Sequence, residues 1–272
     1  MELIQQVFAD NQQQVHVLKE SEDPAEVIRQ ALPGADLIAV YGGDGSVTAS
    51  ASALIGTGTP LAIIPGGTAN VLSKEFGIPQ DTTEALQMIR NQQYRLQTID
   101  TGIVNETPFL LRVNLGIMAD MITETDPDLK DKIGQLAYGV TTVKSIRKAE
   151  AVAYHLTIDG NTMQASGVSL TVTNSGSMGI GGLQMQPGIS VSDGLLDVLL
   201  LRDADVLSIL KTVGTSLLGK ETNAVTHWTC KKITIKLPHP QKYICDDCER
   251  EATELNISIV PASLTVAVPL NE

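Results

Sequence analysis

The feature that most constrains the fold is a glycine-rich run that directly follows a short apolar segment. Residues 36–41 (DLIAVY) form a nearly continuous apolar run of strand length, and Gly42–Ser46 (GGDGS) follows at once. The next segment, Val47–Ile55, is rich in Ala and Ser and has helical character. Uninterrupted apolar runs suit parallel strands that are covered on both faces. The pattern therefore predicts a strand, a tight loop and a helix, in that order.

The same pattern recurs one unit later along the chain. Leu61–Ile64 is a second buried-strand candidate, and Pro65-Gly66-Gly67 ends it before a helix predicted over Thr68–Phe76. Two consecutive strand–loop–helix units favour a parallel α/β sheet. Upstream, Val15–Leu18 is a short strand candidate, and Asp23-Pro24 is typical of a helix start.

The pattern changes after Asn91. Short alternating apolar runs, separated by Gly, Asn and Asp, continue to the end of the chain. Alternation with period two predicts half-buried strands, so residues 98–272 are expected to form a mostly antiparallel β-sandwich behind an α/β domain of residues 1–97. Two stretches, Leu129–Lys148 and Asp205–Leu218, have helical character within this second domain.

Composition excludes several classes of partner. Hydrophobic residues make up 43% of the 272, so a packed core is available, and the net charge of −12 argues against nucleic acid and against strong attraction to anionic membranes. No apolar run approaches the about 20 residues that a spanning helix needs. The start lacks the features of a secretory signal, and three cysteines favour a reducing compartment. A cytoplasmic protein with at most peripheral membrane contact is expected.

The two glycine loops have the chemistry of a phosphate site. Backbone N–H groups without an intervening Cβ, at the start of a helix, bind anions well. Asp44 would repel a phosphate unless Mg²⁺ or a ribose hydroxyl meets it, and the alternative is that Asp44 caps a helix. For Thr68 the alternative is likewise a helix cap. Loops at the carboxyl ends of neighbouring parallel strands commonly share one crevice.

These loops resemble a known pair of motifs. Tyr41–Ser46 (YGGDGS) followed by Ile63–Asn70 (IIPGGTAN) is similar to the GGDGT and PxGTAN motifs of the diacylglycerol and sphingosine-type lipid kinases. The first pair alone leaves NAD kinases open, but later segments favour the lipid-kinase branch. Those segments are Asn114–Gly116 (NLG), Gly179–Gly182 (GIGG), Ser190–Val198 (SVSDGLLDV), Asp246–Glu249 (DDCE) and Ile259–Pro261 (IVP).

The resemblance implies transfer of the ATP γ-phosphoryl group to the hydroxyl of a diacylglycerol-like lipid, with Mg²⁺ neutralising charge. Either Asp247 or Glu249 would be the catalytic base, although a solvated turn is the alternative for this cluster. The carboxylate of Asp193, with main-chain oxygens of Ser190 and Leu195, would hold a structural Mg²⁺, and the alternative there is a plain hairpin turn. The expected nucleotide-binding residues are Gly42, Gly43, Asp44, Gly45, Ser46, Val47, Gly67, Thr68 and Asn70.

Three departures from the family pattern motivate a second hypothesis. The chain starts roughly where the family's first strand and NPxSG loop have already passed. Thr48 and Ala49 stand where the family has Asn-Glu, and Cys248 replaces a glycine whose φ could be positive, in which case the turn would be strained. A catalytically degenerate nucleotide- or lipid-binding protein is therefore the runner-up, an NAD-kinase-like enzyme is a third hypothesis, and a homodimer is allowed.

A zinc site competes for the same region. His227 and Cys230 are separated from Cys245 and Cys248 by a spacing close to that of a zinc ribbon. Against zinc, residues three apart on a strand face opposite sides of the sheet.

Overall fold

The computed structural model describes residues 2–8, 13–119, 151–176, 188–202 and 225–270. The chain divides into two compact units, one of Met1–Ile99 with Ala262–Glu272 and the other of Asp100–Pro261. The sequence-based boundary near residue 97 assigned everything after it to the second domain. The closing segment instead groups with the first unit, where Val266 pairs in parallel with Leu61.

The first unit has the predicted parallel α/β character. Its strands β1 and β2 run parallel, from Ile38 opposite Leu61 to Gly42 opposite Pro65, and every residue of β2 is buried. The prediction of two strand–loop–helix units is therefore confirmed. The elements are α1 (Glu2–Val7), α2 (Pro24–Ala31), β1 (Ile38–Gly42), α3 (Asp44–Ala51), β2 (Leu61–Pro65), α4 (Val71–Glu75) and α5 (Thr82–Arg90).

Local sequence explains where two of these helices begin. Asp23 accepts a hydrogen bond from the N–H of Ala25 ahead of α2, and Pro24 occupies its first turn. Asp81 caps α5 in the same way. A side-chain oxygen at this position binds an N–H that has no partner inside the helix. The strand predicted over Val15–Leu18 is absent, because this segment has no regular structure.

The second unit is built on antiparallel pairs, as the alternating runs predicted. Strands β11 (Lys232–Cys245) and β12 (Cys248–Pro269) form a long hairpin, and β11 also pairs with β5 (Arg112–Gly116) and β6 (Val152–Ile158). Strands β3 and β12 each contain residues of both units. The strands are β3 (Tyr94–Val104), β4 (Thr107–Phe109), β5 (Arg112–Gly116), β6 (Val152–Ile158), β7 (Asn161–Gly167), β8 (Ser169–Thr173), β9 (Leu196–Leu201), β10 (Val225–Cys230), β11 (Lys232–Cys245) and β12 (Cys248–Pro269).

The core of the second unit is mainly aliphatic, in keeping with an aromatic content of only 3%. Leu115, Leu156, Leu170 and Ile257 are fully buried in it, and each such side chain stabilises the fold by about 1.5–3 kcal/mol. The helical predictions for 129–148 and 205–218, and the segment 179–182, lie outside the described residues. Within the described part, no helix combines the length and apolarity needed to cross a membrane.

Candidate functional site

The first glycine loop presents the start of helix α3 to solvent. Gly43 is the N-cap and offers no side-chain cap, while the N–H of Val47 donates to the carbonyl of Gly43 at 3.0 Å. The amides of Asp44, Gly45 and Ser46 find no acceptor among the described residues. Gly45 and Ser46 are exposed. The loop therefore offers accessible N–H donors where the helix dipole favours an anion.

The second loop is held in shape by Asn70. This residue has a left-handed backbone (φ 48°). Its Oδ1 accepts the N–H of Gly67 at 2.9 Å, and its Nδ2 donates to the Gly67 carbonyl at 2.8 Å. The N–H of Gly66 donates to the carbonyl of Gly42 at 2.9 Å, which ties this loop to the end of β1. Gly67 and Thr68 remain exposed.

Glycine is required where the two loops meet. A Cβ on Gly67 would lie 2.6 Å from the Cα of Gly43, and a Cβ on Gly43 would lie 3.3 Å from the Cα of Gly67. A Cβ on Gly66 would lie 2.9 Å from the ring of Tyr41. The glycines thus allow two backbones to approach each other, a structural reason that stands beside their suitability for phosphate.

Asp44 joins the two loops through its side chain. The carboxylate is buried, and it accepts the N–H of Val71 at Oδ2 and of Leu72 at Oδ1, both at 2.9 Å. Asp44 therefore caps a helix, but the helix is α4 of the second loop and not its own helix α3. A carboxylate has about four acceptor positions, so these two bonds leave capacity for a hydroxyl or a cation.

The structure places two of the predicted nucleotide-binding residues, Val47 and Thr68, differently from the sequence-based expectation. The side chain of Val47 is 1% exposed and packs in the core, so it cannot offer its side chain to a ligand. Helix α4 begins at Val71 with Asn70 as its N-cap. Thr68 consequently lies before the helix, and the interpretation of Thr68 as its cap is wrong.

The acidic segment of the second unit is a tight hairpin turn. Cys245 and Cys248 are opposite each other at the end of β11 and β12, and Asp246 and Asp247 form the turn between them. Asp246 is buried and has a positive φ of 50°, a conformation that Asp tolerates better than most residues. Cys248 is not among the positive-φ residues, so the strain expected there is absent.

Asp246 is an anchor that the sequence reasoning missed. Its Oδ2 accepts the N–H of Leu110 at 2.9 Å, and its Oδ1 accepts those of Leu111 at 3.0 Å and Arg112 at 2.8 Å. Its own N–H donates to the carbonyl of Arg112 at 2.8 Å. The partners are 134–136 residues away in sequence, and no local pattern signals such a contact.

The two predicted bases differ in their surroundings. Asp247 and Glu249 are both exposed. Glu249 lies on strand β12, where its carboxylate is 2.6 Å from the ammonium of Lys242 on β11. Asp247 lies in the turn, directly after the buried anchor Asp246.

The predicted magnesium loop is a stabilised turn. Asp193 is exposed, and its Oδ1 accepts the N–H of Leu195 at 3.0 Å. Ser190 Oγ accepts the N–H of Ser192 at 3.3 Å. The buried carboxylate of Asp100, which sequence reasoning missed, accepts the N–H of Gly194 at 2.6 Å.

These residues fit Mg²⁺ in donor type, because it prefers oxygen ligands. Oδ2 of Asp193 makes no hydrogen bond to the described residues, so one carboxylate oxygen remains for a cation. No group of three or more His, Cys, Asp or Glu side chains suited to a metal occurs within the described ranges. Any cation here would therefore depend on main-chain oxygens and water for its other ligands.

The zinc arrangement of His227, Cys230, Cys245 and Cys248, all four of which are described, is not formed. Nε2 of His227 lies 2.6 Å from Oδ1 of the buried Asp197. Cys230 and Cys245 are core residues, and burial raises the pKa of each thiol to about 12. Two of the four candidate ligands are thus buried core thiols, and the four side chains do not form a metal-binding group. The alternative of a zinc site is therefore wrong.

The comparisons with known proteins cover both units. Residues 1–104 match the model of the diacylglycerol kinase catalytic domain, and residues 112–268 match that of the YegS C-terminal NAD kinase beta sandwich-like domain. The chain is 31% identical over 268 residues to an uncharacterized protein of Synechocystis, which covers 94% of this chain. The chain spans 61% of that protein's length.

Two named relatives are similar over most of this chain. A diacylglycerol kinase of Mycobacterium tuberculosis is 28% identical over 87% of this chain and 78% of that protein. The crystal structure of a diacylglycerol kinase from Bacillus anthracis has a TM-score of 0.73 at 22% identity, covering 98% of this chain and 88% of that one. The latter likeness shows a shared fold.

The fold and the domain matches together define a two-domain chain of the lipid-kinase type, with an α/β domain followed by a β-rich domain. The chain belongs to the family of diacylglycerol kinases and YegS-like lipid kinases. The family resemblance inferred from the glycine loops and the later segments is therefore confirmed.

Proposed function

We propose that the protein is an ATP-dependent lipid kinase that transfers the γ-phosphoryl group to the hydroxyl of a diacylglycerol-like lipid. The observation that carries the proposal is the N-terminus of α3, where Gly45 and Ser46 are exposed and their amides have no acceptor among the described residues. Phosphoryl transfer depends mainly on positioning and charge neutralisation. Backbone N–H groups at a helix start supply both for a nucleotide phosphate.

The nucleotide would be held by both glycine loops. Gly42, Gly43, Gly45 and Ser46 contribute the first loop, while Gly67, Thr68 and Asn70 form the second. Asp44 would take one further contact, to a ribose hydroxyl or to phosphate-bound Mg²⁺, with the acceptor capacity that α4 leaves free. Support for a shared site comes from the direct contact between the loops at Gly43 and Gly67.

We take Asp247 as the base and keep Glu249 as the alternative. A general base has to accept the hydroxyl proton of the substrate within hydrogen-bond reach. The carboxylate of Glu249 forms an ion pair with the ammonium of Lys242 at 2.6 Å. Asp247 follows a residue that three backbone amides fix in place, so its position is set by the fold.

Magnesium would have two separate tasks. One ion, bound with ATP, would neutralise charge on the transferring phosphate. A second would stabilise the loop around Asp193, where Ser190 and Leu195 would supply main-chain oxygens. The acceptor would be a membrane lipid reached from the cytoplasm by peripheral contact, and its phosphorylated product would enter phospholipid biosynthesis.

One observation that motivated the hypothesis of a catalytically degenerate protein no longer holds. The hypothesis depended partly on strain at Cys248, and Asp246 adopts the positive φ instead. The replacement of Asn-Glu by Thr48 and Ala49 remains, so turnover is the measurement that separates the two functions.

The test is transfer of labelled γ-phosphate from ATP in the presence of Mg²⁺. Diacylglycerol in mixed micelles, sphingosine in mixed micelles and NAD are offered separately as acceptors. Label that is extracted with diacylglycerol, above a protein-free blank, is the expected result. Label on NAD alone would replace the proposal with an NAD-kinase activity, and nucleotide binding without transfer to any acceptor would support the degenerate protein.

A further inference from the structure

Two of the three cysteines are opposite each other at the turn that carries Asp247. The ladder of β11 and β12 pairs Cys245 with Cys248 as its last step, and both are free thiols. Directly opposed residues on antiparallel strands have Cα atoms about 4.5–5.5 Å apart. A disulfide needs a separation of about 4.4–6.8 Å, so this pair meets the distance requirement without a change of register.

The two thiols also lie on the same face of the hairpin. Opposed residues of an antiparallel pair point to the same side of the sheet. Cys245 belongs to the buried core, whereas Cys248 is exposed. The pair therefore joins one thiol that solvent can reach to one that it cannot.

This difference in exposure gives the two cysteines different chemical tasks. Burial, followed by the charge of Asp246, raises the pKa of the Cys245 thiol to about 12, with Arg250 acting in the opposite direction. A thiol must ionise to attack, so a reagent from solution meets Cys248 first. Cys245 reacts afterwards, because its neighbour is held beside it and a fixed geometry greatly accelerates a reaction.

We propose that Cys245 and Cys248 form a reversible disulfide across the Asp246-Asp247 turn when the protein meets a low-molecular-weight disulfide. The thiolate of Cys248 attacks one sulfur of that disulfide, its S–S bond breaks, and one small thiolate leaves. Cys245 then gives up its proton and attacks the Cys248 sulfur, and the second small thiolate leaves and takes up a proton. Two protein thiols are oxidised and one small disulfide is reduced to two thiols.

The disulfide would act on the turn between its two ends. The turn has only two residues, so any adjustment of the backbone at Cys245 or Cys248 displaces the carboxylate of Asp247. A misplacement of about 1 Å can cost about 100-fold in rate. We expect oxidation to lower phosphotransfer, and this second part rests on the proposed function.

The pairing is tested by treating the folded protein with oxidised glutathione and then digesting it with trypsin without reductant. Cleavage after Lys242 and Arg250 releases both cysteines in one peptide, Tyr243–Arg250. The expected peptide has lost the mass of two hydrogen atoms and regains it with dithiothreitol. Unchanged thiols, a lasting glutathione adduct on Cys248, or a link to the peptide that contains Cys230 would each overturn the pairing.

Matched variants separate this pair from general thiol oxidation. Cys230→Ser removes a buried cysteine with a similarly raised pKa, whose ladder partner is Leu196, and the mass loss should persist. Cys248→Ser removes the exposed member without disturbing the core, and the mass loss should disappear. Persistence of the loss in Cys248→Ser would contradict the proposal.

Phosphotransfer is measured on the same samples. The oxidised wild type should be slower by about tenfold or more, with recovery on reduction, and oxidised Cys248→Ser should keep its reduced rate. An unchanged rate in the oxidised wild type would overturn the inference that the disulfide displaces the carboxylate of Asp247. Reduced wild type without any transfer would contradict the proposed function instead, and the peptide masses would still decide the pairing.

Discussion

The glycine loop and the acidic turn each contain a buried aspartate, and the two aspartates serve the fold in different ways. Asp44, in the glycine loop, accepts the amides of Val71 and Leu72 at the start of the neighbouring helix. Asp246, in the acidic turn, accepts three consecutive amides of a distant segment. In the first motif the anchor is itself a proposed ligand contact, whereas in the second the proposed base is the neighbouring residue Asp247.

The comparison shows that an acidic motif can assign its structural role and its proposed chemical role to two different carboxylates. Where one carboxylate is both anchor and contact, any substitution disturbs folding and binding together. Where two adjacent carboxylates share the tasks, stability and chemistry become separable. Each substitution described below affects one side of this comparison.

Asp246→Asn should have the largest effect on stability. The amide keeps the left-handed backbone that Asn tolerates but loses one acceptor oxygen, which leaves buried N–H groups of Leu110, Leu111 or Arg112 unpaired. Each such loss costs about 1–3 kcal/mol, so a total of about 3 kcal/mol is expected. Urea unfolding measures it, with Asp247→Asn as the control, and a change as small as in the control would contradict the anchor.

Asp44→Asn should destabilise the protein less than Asp246→Asn. The carboxylate of Asp44 accepts two amides, both at the start of α4, whereas that of Asp246 accepts three. The expected loss is about 2 kcal/mol. Nucleotide affinity, measured by calorimetry on the folded fraction, should fall in the same variant. A variant with full stability and weakened nucleotide binding would show that the cap of α4 contributes nothing.

Gly67→Ala should lower the free energy of unfolding by about 1–2 kcal/mol, because the added methyl group overpacks the contact between the loops. Its Cβ would lie 2.6 Å from the Cα of Gly43, whereas the Cβ of Gly43→Ala would lie 3.3 Å from the Cα of Gly67. Gly43→Ala is the matched control and should cost less. Equal costs in thermal unfolding would show that the contact between the loops does not determine the requirement for glycine.

The buried carboxylate of Asp197 extends the comparison, because it contacts a side chain, the ring of His227. Burial raises the pKa of Asp197, while the hydrogen bond from His227 lowers it. A pKa above the unfolded value means that the folded state favours the protonated form. The contribution of Asp197 to stability is therefore full below its unfolded pKa and is lost as pH rises through the folded pKa.

Asp197→Asn should accordingly gain stability relative to wild type as pH rises from the ordinary pKa of an aspartate, 3.8, through the raised pKa of the folded state. His227→Gln, which removes the hydrogen-bonding ring, should shift the wild-type loss to higher pH if the ring is what lowers the pKa. Urea unfolding at several pH values measures both effects. A difference between wild type and Asp197→Asn that is constant over this range would contradict the raised pKa.

The sequence predicted those features that depend on nearby residues. The apolar runs before Gly42 and Pro65 predicted parallel strands, and Asp23 predicted a helix start, because burial and capping act over a few positions. The bonds from Asp44 to α4 and from Asp246 to Leu110 join residues far apart in sequence, so no local pattern contains them. The backbone conformation of the turn, with Asp246 in place of Cys248 at positive φ, likewise depends on those distant amides.

The most direct test of the account is the rate of γ-phosphoryl transfer to diacylglycerol by Asp247→Asn. General base catalysis contributes about 10²–10⁴-fold, so the rate should fall at least about 100-fold, with unfolding free energy within about 0.5 kcal/mol of wild type. Glu251→Gln, which changes an exposed acid on strand β12 shortly after the turn, should retain the wild-type rate. Equal transfer by Asp247→Asn and wild type would contradict the division of work between Asp246 and Asp247.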